Sequence, residues 1–217
     1  EMMSHPALFI RPKPARVIII GGGDCGTLRE VLKHDTVTLA EQVELDERVT
    51  RVSEKFFPDL CESNGDPRAR LHFADGIKWV ADAKPGTYDV IIVDSTDPVG
   101  PAAGLFSKEF YANCLKALRP RGIVVGQSES PLFHAALIKS MHEALRGANF
   151  LDIATLHFPQ CTYPSGWWSA TLAGKDTPLA GFREEAVAQK RFPTRYYNYG
   201  VHTAAMAVPE FLFKTLI

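Results

Sequence analysis

Residues 93–102 read VDSTDPVGPA, placing Asp94 and Asp97 three positions apart at the end of an apolar run, with two prolines and a glycine behind them. Either aspartate alone is ordinary turn chemistry, since Asp before Pro or Gly favours a turn. Other acids stand in comparable places. Asp24 follows the aliphatic run 17–20, Glu44 and Asp46 close the run 37–44, Asp75 follows 70–73, and Glu129 follows 123–126. If those runs are parallel strands, the acids gather at the carboxyl edge of one sheet, where open α/β sheets bind ligands. That edge would be a negatively lined cleft suited to a cation. The segment GGGDCG (21–26) satisfies GxGxxG through Gly21, Gly23 and Gly26, and Glu44 lies about 20 residues downstream, the spacing of an acid that bonds ribose hydroxyls. Asp24 sits inside that turn and would repel a pyrophosphate, so the expected ligand is a nucleoside with a positive sulfonium and a short charged tail, the S-adenosylmethionine class. In this reading Glu44 takes the ribose, and Asp75 with Gly76 meets the adenine edge.

Positioning these residues requires an alternation of strands and helices. Four branched aliphatics at 17–20 running into three glycines predict a buried strand and a tight turn. The pattern continues as helix 26–33, strand 37–44, helix 46–57 with Asp46 as its N-cap, strand 70–73, helix 77–83, strand 90–93, helix 108–118, strand 123–126 and helix 132–146. Segments 151–157 and 168–173 are expected to pair as an antiparallel end of the sheet. The fold class is therefore α/β: a doubly wound, Rossmann-like, mostly parallel sheet of the S-adenosylmethionine methyltransferase type, with an antiparallel C-terminal edge.

At 217 residues with 46% hydrophobic side chains, the chain is long enough for one sizeable core, so a single domain over 1–217 is expected. A balance of 24 basic against 25 acidic residues, without a Lys/Arg block, gives no support for nucleic-acid binding. No apolar run approaches the roughly 20 residues of a membrane span, so no membrane association is expected. The four cysteines, at 25, 61, 114 and 161, are far apart and show no metal-ligand spacing. They point to a reducing cytoplasm and to no metal.

The stretches GGGDCGTLREVLKH, VELDERV, ADG, DSTDPVGPA, LFSKEFY, YPSG and RYYNYGVHTAAMAVPEF together resemble spermidine synthase and its polyamine aminopropyltransferase relatives over essentially the whole chain. The resemblance implies transfer of the aminopropyl group of decarboxylated S-adenosylmethionine, a co-substrate and not a prosthetic group, to a diamine such as putrescine, giving spermidine and methylthioadenosine. It implies Asp94 as general base, Asp97 as its diamine-binding neighbour and Asp24 as the contact to the aminopropyl ammonium. Glu44 and Asp75 remain the ribose and adenine ligands, Tyr163 lines the diamine channel, and Gln127 and Glu129 fall on the strand end near it as further substrate-binding residues. It also implies a homodimer or homotetramer for the full-length protein, and a small N-terminal β domain that this chain does not include. Cys25 stands where the family has glycine, which costs roughly 1 kcal/mol if that position needs a positive φ and little if the helix has already begun. Two alternatives stay open: a small-molecule methyltransferase, against which Asp24 argues, and a non-catalytic relative, against which the Asp94 and Asp97 pair argues.

Overall fold

A computed structural model describes residues 1–180 and 182–216. After helix α1 (His5–Ile10), strands and helices alternate: β1 (Arg16–Gly21), α2 (Gly26–Leu32), β2 (Leu39–Glu44), α3 (Glu47–Phe56), β3 (Ala69–Phe73), α4 (Gly76–Asp82) and β4 (Tyr88–Asp94). A 3-10 helix (Gly100–Phe106) precedes α5 (Lys108–Ala117), β5 (Leu118–Gln127), α6 (Ala135–Gly147), β6 (Asp152–Pro159) and β7 (Trp167–Gly174). Three short helices close the chain: α7 (Glu184–Ala188), α8 (Tyr199–Met206) and α9 (Glu210–Leu216).

The strands form one sheet in the order β3-β2-β1-β4-β5-β7-β6. Strands β1 to β5 are parallel, and β7 runs antiparallel to both β5 and β6. Successive residues of β1 face opposite sides, so Val17 and Ile19 join the core under α1 and α2 while Ile18 and Ile20 join the core under α4 and α5. Burial on both faces explains why the central strands read as unbroken aliphatic runs rather than alternating ones. The chain winds outward from β1 through β2 to β3, then returns to begin again at β4 beside β1. The crevice at that reversal, beyond the carboxyl ends of β1 and β4, is where this topology leaves room for a ligand.

The predicted elements are present, with shifted ends. The strand expected from residue 37 begins at Leu39, and the one expected at 123–126 extends over Leu118–Gln127. The helix expected from 132 begins at Ala135, because His134 N–H bonds the Ser130 carbonyl at 2.8 Å and Leu132 N–H bonds the Ser130 hydroxyl at 3.3 Å, holding a turn there. Among the described residues, α1, the 3-10 helix and α7 to α9 were outside the expectation.

Candidate active site

Strand β1 ends at Gly21, with φ +81°, directly beside Asp94 at the end of β4. A Cβ on Gly21 would run into the Asp94 carbonyl oxygen, which also accepts the Gly22 N–H at 2.8 Å. Only glycine lets the two strand ends approach this closely. Gly23 serves a second approach: a Cβ there would lie 2.8 Å from a Glu44 carboxylate oxygen, so the bare backbone leaves space for that carboxylate at the turn. Thr50 of α3 donates to the Gly23 carbonyl at 3.0 Å and fixes the turn from the far side.

A cavity of about 670 Å³ opens at this point. Gly21, Gly23, Asp24, Glu44, Asp75, Gly76, Asp94 and Tyr163 all line it, together with Asp46 and an apolar wall that includes Val49, Ile77, Val99, Pro101 and Leu105. That wall suits the flat faces of a base, while the acids gather along the strand ends. Among the described residues, no Lys, Arg or His lines this cavity. A second cavity of about 580 Å³ lies away from the strand ends, where Arg29, Lys33 and Arg195 mix with Glu30, Asp59 and Glu62. Its mixed charge and its place behind α2 separate it from the acidic cleft.

Several strand-end acids cap helices as well as lining the cavity. Asp24 accepts the Gly26 N–H at 2.9 Å, Asp46 accepts the Arg48 N–H at 3.0 Å, and Asp75 accepts those of Ile77 and Lys78 at 2.8 and 3.2 Å. For Asp24 and Asp75 these bonds use one carboxylate oxygen and leave the other for a ligand. The same side chains thus hold the helix starts and line the cavity. Glu44 accepts the Asp46 N–H at 3.0 Å through one oxygen, which orients the other toward Gly23.

Asp94 is partly buried, and Thr27 of α2 donates its hydroxyl to the carboxylate at 2.6 Å. Burial pushes the Asp94 carboxyl above its ordinary range, the Thr27 bond pulls it down, and the negative charges of Asp24 and Glu44 push it up again. A carboxylate made more basic by its surroundings is better matched to taking a proton from an amine.

Asp97, Gln127 and Glu129 stand beside the cavity beyond Thr96. Gln127 donates to the Thr96 carbonyl at 3.4 Å and accepts the Glu129 N–H at 3.2 Å. Glu129 is 3% exposed, has φ +64°, and is anchored through its carbonyl, which accepts the Ser169 hydroxyl at 2.7 Å. Burial first, and then the neighbouring Asp97, push the Glu129 carboxyl up to about 7. Tyr163 stacks on Trp168 with ring centroids 3.7 Å apart. Its phenol is pushed up by burial and then by the negative charges of Asp97, Glu129 and Asp94. Trp168 therefore backs the wall that Tyr163 presents, whereas Trp167 packs away, donating to His157 at 3.1 Å.

Sequence reasoning missed Thr27 and His134, whose Nδ1 lies 3.3 Å from Glu129. Neither position carries a spacing signal, since each meets its acid through the fold. Cys25 adopts φ +65°, so the conformational cost of a side chain at that position applies. Burial and the Gln42 amide at 3.5 Å hold the thiol in place. The tail motif is structural: the backbone N–H groups of Arg195, Tyr196 and Tyr197 each bond the Glu1 carboxylate at 2.8 Å, and Tyr197 and His202 meet at 2.9 Å. His5 is buried between Glu30 at 3.1 Å and His34 at 3.0 Å and lies outside the cleft.

The spermine/spermidine synthase domain matches residues 1–183. The polyamine aminopropyltransferase of Thioalkalivibrio sulfidiphilus (strain HL-EbGR7) is 62% identical over 217 residues, covering all of this chain and 77% of its own length. A solved spermidine synthase in complex with the transition state analogue AdoDATO superposes with a TM-score of 0.95 at 38% identity, over all of this chain and 74% of that one. Spermidine synthase from Thermotoga maritima superposes with a TM-score of 0.93 at 39% identity, over all of this chain and 73% of that one.

Proposed function

The chain belongs to the spermine/spermidine synthase domain family and is an aminopropyltransferase, and we propose that its acceptor is putrescine, alkylated in the cleft beyond β1 and β4. Decarboxylated S-adenosylmethionine is its co-substrate. The observation that carries this reading is the charge of the cavity: acids line it and, among the described residues, no basic side chain does. S-adenosylmethionine itself would bring a carboxylate into that field with nothing to pair it. The decarboxylated donor brings only positive charge.

In this reading Glu44 bonds the ribose hydroxyls, Asp75 and Gly76 meet the adenine edge, and Asp24 pairs with the aminopropyl ammonium. Gly21 and Gly23 keep the turn open for the nucleoside. A protonated amine has no lone pair for displacement at the carbon next to sulfur, so one group must accept its proton as it attacks. Asp94 stands at the strand end with its carboxylate oriented by Thr27, and it takes that proton. Asp97, with Gln127, Glu129 and Tyr163, holds the acceptor so that its nitrogen lies in line with the reacting carbon. The acids also favour the protonated amine, which opposes deprotonation. The raised basicity of Asp94 offsets that locally.

A cytoplasmic location fits the four unpaired cysteines, and assembly of the full-length protein as a homodimer or homotetramer completes the reading.

Donor choice is the test. A second carboxylate about 4 Å from Asp24 would cost roughly 4 kcal/mol at an effective dielectric near 20, and solvent reduces this. Half of it still gives more than tenfold discrimination. Asp24→Asn is expected to weaken binding of the decarboxylated donor and to shift the affinity ratio toward S-adenosylmethionine by about tenfold. An unchanged ratio in competition binding would remove the electrostatic basis of donor selection and favour a methyltransferase.

A further inference from the structure

Thr27 stands where the glycine turn passes into α2, and its hydroxyl has a choice of acceptors. Near the start of a helix, a threonine commonly turns its hydroxyl back to a carbonyl three or four residues earlier. Here both of those carbonyls are engaged from elsewhere: Thr50 donates to the Gly23 carbonyl at 3.0 Å, and the Cys61 thiol donates to that of Asp24 at 3.5 Å. The Thr27 hydroxyl crosses instead to the end of β4 and donates to Asp94 Oδ2 at 2.6 Å. A Cβ on Gly22 would lie 3.2 Å from that same oxygen, so Oδ2 is held between a hydroxyl and a bare stretch of backbone. The other oxygen, Oδ1, has no hydrogen-bond partner among the described residues and is not sealed from solvent, and its side chain lines the cavity.

We propose that Thr27 is a positioning residue for the transfer: its hydroxyl occupies Oδ2 of Asp94, leaves Oδ1 to take the proton of the attacking amine, and sets how readily that oxygen does so. This rests on reading Asp94 as the general base.

The step that it serves balances. The bond from nitrogen to carbon forms as the bond from carbon to sulfur breaks, the sulfur leaves with the bonding pair as the neutral thioether of methylthioadenosine, and the proton lost by nitrogen ends on Oδ1 and passes to solvent. A carboxylate free to rotate presents its oxygens in any direction, so pinning one fixes the other. A threonine hydroxyl has a single proton to give, and giving it to Asp94 favours the ionised carboxylate.

Among the described residues, Thr27 is the one side-chain donor to Asp94. The neighbouring charges act without such a bond: Asp24 from the turn and Glu44 from the end of β2 push the Asp94 carboxyl up, and the amino group of Glu1 pulls it down. Tyr163, from the segment between β6 and β7, has its phenol pushed up and stays neutral. Loss of the Thr27 hydroxyl therefore raises the Asp94 carboxyl further and moves the rising limb of the rate to higher pH.

The pH dependence of kcat with putrescine and decarboxylated S-adenosylmethionine, compared in wild type, Thr27→Val and Thr27→Ser, tests this. Valine keeps the branched shape and removes the hydroxyl; serine keeps the hydroxyl. In Thr27→Val the limb is expected about one pH unit higher, a tenfold loss of rate at any pH on the limb and the size of one charge-assisted bond. Methylthioadenosine should bind this variant within a few-fold of wild type, and Thr27→Ser should return the limb to its wild-type position. Adding Thr27→Val to Asp94→Asn should leave the profile of that variant as it is, because the hydroxyl acts through the carboxylate. Thr27→Ala carries the same expectation and replaces Thr27→Val if valine disturbs the start of α2.

A limb that stays at its wild-type pH in Thr27→Val, or one that moves as far in Thr27→Ser, would overturn the proposal. A limb that survives in Asp94→Asn would overturn the assignment of Asp94 as base, a result distinct from a limb that Asp94→Asn abolishes and Thr27→Val leaves in place.

Discussion

Asp94→Asn is expected to lower kcat with putrescine by roughly 10² to 10⁴-fold, the range of a lost general base, while methylthioadenosine binds within a few-fold of wild type. The substitution preserves the shape of the side chain and an oxygen for the Thr27 hydroxyl, now 2.6 Å from the carboxylate. It leaves the Asp94 carbonyl free to hold the Gly22 N–H at 2.8 Å, so the turn that receives the nucleoside should persist. What is lost is an oxygen that can accept a proton. Because burial holds the wild-type carboxyl above its ordinary range, the wild-type rate should rise with pH as Asp94 ionises, and that limb should vanish in the variant. A variant that retains the full rate, or the same limb, would place the base elsewhere.

Glu44→Ala is expected to weaken methylthioadenosine by a hundredfold or more. Two charge-assisted bonds to ribose hydroxyls are each worth on the order of 1.5 to 3 kcal/mol, and their loss falls on the nucleoside rather than on the reacting carbon. The change should therefore appear mainly in donor KM. Glu44 also accepts the Asp46 N–H at 3.0 Å, so part of the loss could arise from a loosened start of α3. Glu44→Gln separates the two effects: it keeps an acceptor oxygen for the Asp46 N–H but turns an NH2 group toward the ribose, and it should fall between wild type and Ala. Calorimetry showing equal methylthioadenosine affinity in all three proteins would remove Glu44 from the ribose.

The parts of this molecule legible in sequence are those set by local physics. Ile18, Ile19, Ile91 and Ile92 are fully buried, and a strand covered on both faces must read as an aliphatic run. Strand ends are marked by acids, so reading Asp24, Asp46 and Asp75 as strand-end residues also located the cavity that they line. The glycine turn and Glu44 were legible as features of neighbouring strand ends, and the fold brings a Glu44 carboxylate oxygen up to the bare backbone of Gly23.

The contributions of Thr27, His134 and Ser169 were not legible. Thr27 reads as an ordinary helix residue, and only the folded placement of the start of α2 beside the end of β4 brings it 2.6 Å from Asp94. The strain at Glu129 leaves no trace in residue type, since glutamate at φ +64° is chosen against by local preference and held by tertiary contacts. The short closing helices escaped for a related reason. Asn198 caps α8 by accepting the Val201 N–H at 2.9 Å, but the helix spans only Tyr199–Met206 and is stabilised by docking rather than by an amphipathic pattern of its own. Pro6 at the start of α1, behind Ser4 at its N-cap position, was the available signal for that helix.

The most direct test of aminopropyl transfer in this cleft follows the fate of the donor's carbon atoms. The protein is incubated with putrescine and decarboxylated S-adenosylmethionine labelled in the aminopropyl group, and in parallel with putrescine and methyl-labelled S-adenosylmethionine. The expected result is label in spermidine with one methylthioadenosine released per transfer in the first reaction, and no methylated product in the second. Label passing from the methyl group of S-adenosylmethionine to an acceptor, with no labelled spermidine from the decarboxylated donor, would contradict it.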